Sequence, residues 1–344
     1  MRNLLLILSV IVPLFTACVP IQSQPAKQAP IPTADIFAVN QQLGRGVNLG
    51  NALESPNYEG EWGLRLIESY FTLIADAGFD HVRVPIRWST HAEADAPFQI
   101  DKTFFERIDW VIAQAKANRL FVVINMHHYE EMMSDPIGHT ERFLALWRQI
   151  AERYKDEPAS VIFELLNEPN GTLNANEWNK ILPQAIAAVR ESNPTRAIIV
   201  GPVQWNSIGY LYTLQLPKDP NLIVTFHYYE PFQFTHQGAE WVNGANAWMG
   251  ITWSGSEAEQ AAIISAFDTA AKWAAKNKRP LYMGEFGAYS KADMASRARW
   301  TAFLAKSAQE RNISFSYWEF GAGFGVYDRT ANRWNEELLQ ALLQ

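Results

Sequence analysis

Phe163-Glu164-Leu165-Leu166-Asn167-Glu168-Pro169-Asn170 decides how the rest of the chain is read. Val161, Ile162 and Phe163 have the character of a buried strand, and the run then stops at an amide, a carboxylate and a proline. An apolar strand gains nothing from Asn and Glu at its tip, because both lose hydration there unless partners wait for them. Pro169 has no N–H for a ladder and holds the preceding residue extended, so Glu168 reads as the last strand residue. It stands where the chain leaves the sheet, and that is where an α/β barrel keeps its chemistry.

Outward from this stretch the chain is regular. Strand-like runs at 44–50, 81–86, 120–128, 160–168, 196–204, 222–229, 280–287 and 313–320 alternate with helical patterns. Those patterns cover 64–77, 104–117, 141–154, 177–191, a short segment at 208–214, 257–276, 294–309 and 336–343. Eight such units predict an α/β fold of the (β/α)8 TIM-barrel type, with the first and last strands as neighbours. An open doubly wound sheet is the alternative, but no Gly-rich phosphate turn follows any strand. With 344 residues, 48% of them hydrophobic, the chain can bury one large core of this kind. A net charge of −7 and the lack of a basic cluster argue against a nucleic-acid partner. Thirteen Trp and twelve Tyr supply flat faces that suit sugar rings and fill cores equally well.

The N-terminus carries a different signal. Arg2 precedes an apolar run from Leu4 to Phe15, too short to span a bilayer comfortably and typical of an export segment. Leu14-Phe15-Thr16-Ala17-Cys18 has the pattern of a bacterial lipobox, in which Cys18 is lipidated and becomes the mature N-terminus. Ordinary signal cleavage near Ala17 is the alternative. Cys18 is the only cysteine, so no intramolecular disulfide forms. The expected organisation is a lipoprotein-type signal at 1–18, a Pro/Gln-rich tether at 19–35 and one catalytic domain at 36–344. Fully extended, the tether reaches roughly 55 Å. Beyond residue 18 no apolar run is long enough for a transmembrane helix.

The strand ends share one property: they are polar or aromatic. They deliver Asn48 and Asn51, Arg83, His127 and His128, Asn167 and Glu168, His227 and Tyr229, Glu285, and Trp318 to one mouth. Two carboxylates on strands four and seven can face each other across the axis, as an acid and a nucleophile do in a glycosidase. Gly284 leaves room for Glu285 to approach closely. Glu164 is a rival on the same strand face as Glu168. It lies four residues earlier, roughly 13 Å deeper, and reads as a buried carboxylate in need of a cation. Arg83, between Val82 and Val84, is a charge in need of a carboxylate.

These residues carry a family resemblance. Asn-Glu-Pro at 167–169 and Gly-Glu-Phe at 284–286 resemble glycoside hydrolase family 5, a clan-A retaining barrel. The likeness continues through residues 44–54 (GRGVNLGNALE), 81–88 (HVRVPIRW), 125–130 (NMHHYE), 227–229 (HYY) and 317–320 (YWEF). It covers essentially 36–344, and the run 234–241 (FTHQGAEW) is similar to the thermophile endoglucanase branch that also cuts mannan. The resemblance implies that Glu168 is the acid/base, Glu285 the nucleophile, and Asn167 a partner of the sugar 2-hydroxyl. It further implies that Arg83 and Tyr229 hold Glu285 ionised, with His227 close to both carboxylates. A negative Glu285 would then raise the pKa of Glu168. His127, His128 and Trp318 would bind sugar on the non-reducing side, with Asn51, Glu54, His236 and Trp241 as further cleft residues. Asn170 and Glu230 depart from the family pattern on the leaving-group side.

The expected activity is that of an endo-acting, retaining β-1,4-glycanase, a cellulase-type endoglucanase, working without cofactor or metal as a monomer. A β-mannanase, or a broad enzyme taking glucan, glucomannan and lichenan, is the alternative. Two other classes stay open: a metal-dependent hydrolase using His127-His128, and a surface lipoprotein that binds glycan without cutting it. Regular alternation makes it hard for adjacent histidines to ligate one ion. An insertion at 230–256, with Trp241, Trp248 and Trp253, is long enough to serve the site. Trp88, Trp110, Trp147 and Trp178 read as core.

Overall fold

A computed structural model describes residues 35–343, so the signal segment, the Cys18 lipobox and all but the last residue of the tether lie outside the described residues. Eight parallel strands close in sequence order: β1 (Arg45–Asn48), β2 (His81–Val84), β3 (Phe121–Asn125) and β4 (Val161–Glu164), then β5 (Ile198–Val200), β6 (Leu222–His227), β7 (Leu281–Glu285) and β8 (Ser314–Tyr317). β8 pairs with β1, which completes the (β/α)8 barrel the sequence predicts. The strands are buried on both faces; every residue of Leu222–His227 is buried. That is what a parallel sheet wrapped by helices requires. The outer ring comprises Glu68–Ala77, Lys102–Ala117, Pro136–Arg153, Ala175–Arg190, Glu257–Asn277, Met294–Gln309 and Glu336–Leu343. A 3-10 turn, Ile208–Thr213, stands where the fifth unit would otherwise place a helix. Trp88, Trp147 and Trp178 are core as expected, while Trp110 is half-buried beneath the guanidinium of Arg107 at 4.1 Å.

The strands are shorter than the sequence runs suggest. β3 stops at Asn125 rather than His128, β4 at Glu164 rather than Glu168, and β8 at Tyr317, one residue before Trp318. Glu168 is therefore not the last strand residue. It sits in a bend just beyond the regular ladder and has φ 48°, in the left-handed region.

The sequence pattern does not announce every element. The helix Ile36–Leu43 precedes β1 and closes the lower end of the barrel. Asp35 caps it by accepting from the Phe37 N–H at 3.0 Å. Ile36, Val39 and Leu43, one helical stripe, pack against Val123, Ile162, Ile199, Ile223 and Tyr282. Asn40 donates to the Leu281 carbonyl (2.9 Å) and accepts from Ser314 Oγ (2.8 Å), tying the plug to the strands.

Above this apolar floor the register assembles a polar layer. Asn48 aligns with Arg83, Asn125 with Glu164, and His227 with Glu285 across an irregularity between Phe226 and His227. Neighbouring strands thus bring carboxylates and cation to one height. Within the 230–256 insertion, buried Gln237 donates to the Ile251 carbonyl (2.7 Å) and accepts from the Gly250 N–H (2.8 Å). This amide ties two ends of the loop together, alongside the backbone bond from Gly238 N–H to the Ala245 carbonyl at 2.9 Å.

Candidate active site

Arg83 organises the mouth of the barrel. Its side chain is inaccessible, and all five of its N–H groups are engaged. Nε and Nη2 donate to the two oxygens of Glu164 at 2.6 and 2.8 Å. Nη1 donates to Glu285 Oε1 and Asn48 Oδ1, both at 2.8 Å, and Nη2 also donates to Asn167 Oδ1 at 2.7 Å. The family resemblance implies a pairing of Arg83 with Glu285, and the sequence sets Glu164 apart as a deep structural group. The structure gives Glu164 its cation, but that cation is the same guanidinium. Removing either carboxylate leaves a buried charge undercompensated, a change worth roughly 3–5 kcal/mol.

The rest of the site follows from these bonds. Asn167 is turned so that its carbonyl faces Arg83, which leaves the amide NH2 to donate elsewhere. Glu285 has one oxygen against Arg83 and the other against the Tyr229 hydroxyl, which donates at 2.9 Å. The hydroxyl keeps its proton, because burial and the Glu285 charge push its pKa well above the usual 10. Glu168 Oε1 lies 2.7 Å from His227 Nδ1. Asn206 Nδ2 lies 3.3 Å from His227 Nε2, so Nε2 accepts and Nδ1 carries the hydrogen donated to Glu168. Any proton on Glu168 then resides on Oε2, the oxygen free to face the cleft. At Gly284 a Cβ would sit 2.8 Å from Thr225 Oγ1 and 2.9 Å from His227 Nε2, so no larger residue fits beside the pair.

Burial dominates the proton equilibria. It raises Glu168 to about 7, against the pull of the Arg83 charge and with help from the Glu164 charge. The Glu164 charge thus adds to the repulsion between Glu168 and Glu285 that the sequence leads one to expect. Burial also raises Glu285 above the usual carboxylate range, opposed by His227 and Arg83. Glu285 receives two donors and Glu168 one, so Glu285 ionises first. His227 is pushed down to about 4 by burial and is neutral at pH 7. Glu168, His227 and Glu285 present donor atoms within 4.8 Å of one another. That separation belongs with paired carboxylates of the retaining kind, about 5–5.5 Å apart, not with the inverting kind. A cation fits poorly among them, because both Glu285 oxygens already accept hydrogen bonds, one of them from a guanidinium at 2.8 Å.

The expected sugar-binding residues divide into two groups. Trp318 is half-buried and lies over Gly50, where a Cβ would meet its ring at 2.7 Å. His127 stacks parallel to it at 5.6 Å and accepts at Nδ1 from Asn125 Nδ2. His128 meets His127 edge-on at 4.8 Å, so the two rings diverge rather than share one ion. His236 stacks on Phe232 at 4.0 Å and lies 6.4 Å from Trp241, whose ring is 60% exposed. Asn51 is half-exposed at the end of the β1 loop. Glu54 corrects the reading. It is 1% exposed and accepts from the Asn51 and Ala52 N–H groups, so it shapes the loop from beneath instead of lining the cleft. Asn170 likewise turns back, donating to the Glu168 carbonyl at 2.8 Å, and Glu230 accepts from the Phe232 N–H at 3.0 Å.

Several residues were missed. Glu319, inaccessible, gathers the N–H groups of Gly321, Ala322 and Phe324 at 2.8–3.0 Å and fixes the loop after Trp318. A charged residue inside the aromatic run 317–320 was its signal. Asn206 fixes the His227 tautomer, and Trp205 is 55% exposed with its N–H donating to the Pro169 carbonyl at 3.3 Å. Residues 204–206 are all left-handed, a loop conformation that strand periodicity does not announce.

Comparison with known proteins agrees with this geometry. The family model described as cellulase (glycosyl hydrolase family 5) matches residues 45–323. Endoglucanase H of Acetivibrio thermocellus is 36% identical over 327 residues, covering 93% of this chain. The chain spans only 35% of that relative's length. Cel5A of Thermotoga maritima, solved in complex with mannotriose, superposes with a TM-score of 0.88 at 52% identity, over 90% of this chain and 100% of that one. A cellobiose complex of the same Thermotoga protein gives the same score, identity and coverage.

Proposed function

The chain belongs to the cellulase family, glycosyl hydrolase family 5, and from that premise we propose that it hydrolyses internal β-1,4 bonds of glucan. It is a retaining glycoside hydrolase. The single observation that carries the reading is the Arg83 clamp, which holds Glu285 between two donors while Glu168 keeps a proton next to it.

The chemistry then runs in two displacements. A Glu285 oxygen forms a bond to the anomeric carbon as the glycosidic C–O bond breaks, and the departing oxygen takes the proton from Glu168 Oε2. The Asn167 NH2 donates to the sugar 2-hydroxyl, an interaction that strengthens as the ring flattens. Glycosylation removes the negative charge from Glu285, and Glu168 is left as the carboxylate. Water then attacks the anomeric carbon, Glu168 takes its proton, and the Glu285–sugar bond breaks to release the product with its configuration retained.

Mannan is the second reading, favoured by the mannotriose held in the Thermotoga relative. Hydrolysis of a soluble β-glucan and a glucomannan, with and without chelator, tests both. Wild type is expected to cleave glucan with chelator present, and Glu285→Gln to lose activity by on the order of a thousandfold or more. Glycan bound but uncut by wild type, or cleavage abolished by chelator, would sink the proposal. Every candidate residue comes from one barrel, which supports action as a monomer. Export and lipid anchoring through Cys18 belong to the same proposal, supported by Arg2, the apolar run 4–15 and the lipobox pattern. Cys18→Ser is then expected to move the protein from the membrane fraction to the soluble one; equal partition of the two forms would count against the anchor.

A further inference from the structure

Trp62 has no role in the site so far described, and 42% of its surface is exposed. A solitary surface indole means little by itself. Its loop, however, is anchored at several points. Glu59 accepts two bonds from Arg107 (2.9 and 2.7 Å) and a third from the Leu66 N–H (2.8 Å). Arg107 in turn lies over Trp110, and Arg329 donates to the Gly63 carbonyl at 2.7 Å. Asn57 is bound to Glu61 through both its backbone and its side-chain N–H groups. The chain thus fixes a large ring in solvent rather than folding it inward.

The second observation is continuity with the cleft. Trp318 stacks on His127 (5.6 Å, 9°), His127 meets His128 (4.8 Å, 87°), and His128 meets Trp62 (5.8 Å, 78°). Four rings in succession lead from the half-buried platform at β8 to the exposed indole. Trp205, next to Pro169, marks the other side of the cleft, beside the acid. We propose that Trp62 is a distal platform, stacking a β-linked pyranose beyond the one at Trp318 on the side away from Glu168. A neutral polymer suits such a path, since pyranose C–H faces pack on π-faces without any charge to match. A preformed loop lowers the ordering cost of that contact. The inference rests on the glycanase reading above.

The test compares substrates that reach Trp62 with ones that do not. Wild type, Trp62→Ala and Trp62→Phe would be assayed on aryl β-cellobioside and aryl β-mannobioside, and on the six-sugar oligosaccharides of both series. In whichever series is cleaved, Trp62→Ala is expected to raise KM on the hexasaccharide about five- to tenfold. Its kcat should stay within about twofold, the aryl disaccharide should be unaffected, and Trp62→Phe should recover most of the loss. Equal losses on short and long substrates would show a merely structural loop, and no loss on the long ones would remove the platform; either overturns the proposal alone. Cleavage of neither series by wild type would overturn the glycanase reading, and the platform with it.

Discussion

A single guanidinium binds two carboxylates and leaves a third outside its reach. Arg83 cannot lose its proton, and its fork geometry lets it grip Glu164 by both oxygens while still reaching Glu285 and Asn167. Glu168 lies outside that grip and stays protonated up to about pH 7. An acid with that pKa loses function as pH rises through it, and a nucleophile loses function as pH falls through its own, so the pH profile is a bell. The Glu164 charge helps to raise Glu168. Replacing it by Gln removes that help and leaves the Arg83 charge less compensated, and both changes lower the Glu168 pKa. In Glu164→Gln the alkaline limb of kcat/KM is therefore expected to move to lower pH, with a reduced maximum. An unmoved limb, measured on the same substrate, would detach Glu164 from the acid.

At the scale of elements, the barrel was legible because its strands are apolar runs cut short by polar residues at regular spacing. The mouth was legible because those residues are chemically improbable in a core. Reading stopped where the backbone leaves the ladder. Strand arithmetic treats Glu164 and Glu168 as two rungs of one straight strand, whereas the regular ladder ends at Glu164 and the chain bends at Asn167 and Glu168, with Glu168 at positive φ. The left-handed run 204–206, which places Asn206 against His227, has no periodic signature. The helix Ile36–Leu43 was missed because eight residues give one apolar stripe too short to stand out. Glu54 shows a subtler limit. Its motif pointed to the cleft, and the structure turns it inward, where burial raises it to about 8 beside Glu319, itself raised to about 7. These two carboxylates gather the backbone N–H groups of the β1 and β8 loops, and so steady Asn51 and Trp318 without touching the cleft. A sequence motif records that such residues matter; only packing tells which side of a loop they serve.

The whole molecule keeps two populations of charge apart. Pairs such as Arg148–Glu191 and Lys155–Glu152 stand on the outer ring, exposed, where water screens them and they add little to stability. The Arg83 group is buried above the apolar plug, and its N–H groups are matched by internal acceptors. The proposed substrate is uncharged, so the net charge of −7 neither draws it in nor turns it away. Dissolved ions at about 1 M shorten the reach of exposed charges to roughly 3 Å, but they act little on charges that water does not reach. Between about 0.05 and about 1 M NaCl, kcat/KM on a neutral β-glucan is expected to stay within about twofold. A steep fall with salt would mean that the outer charges take part in capture. If the rate holds, the closure of the barrel around one arginine has a consequence outside the reaction itself: the enzyme is indifferent to the salinity of the water it works in.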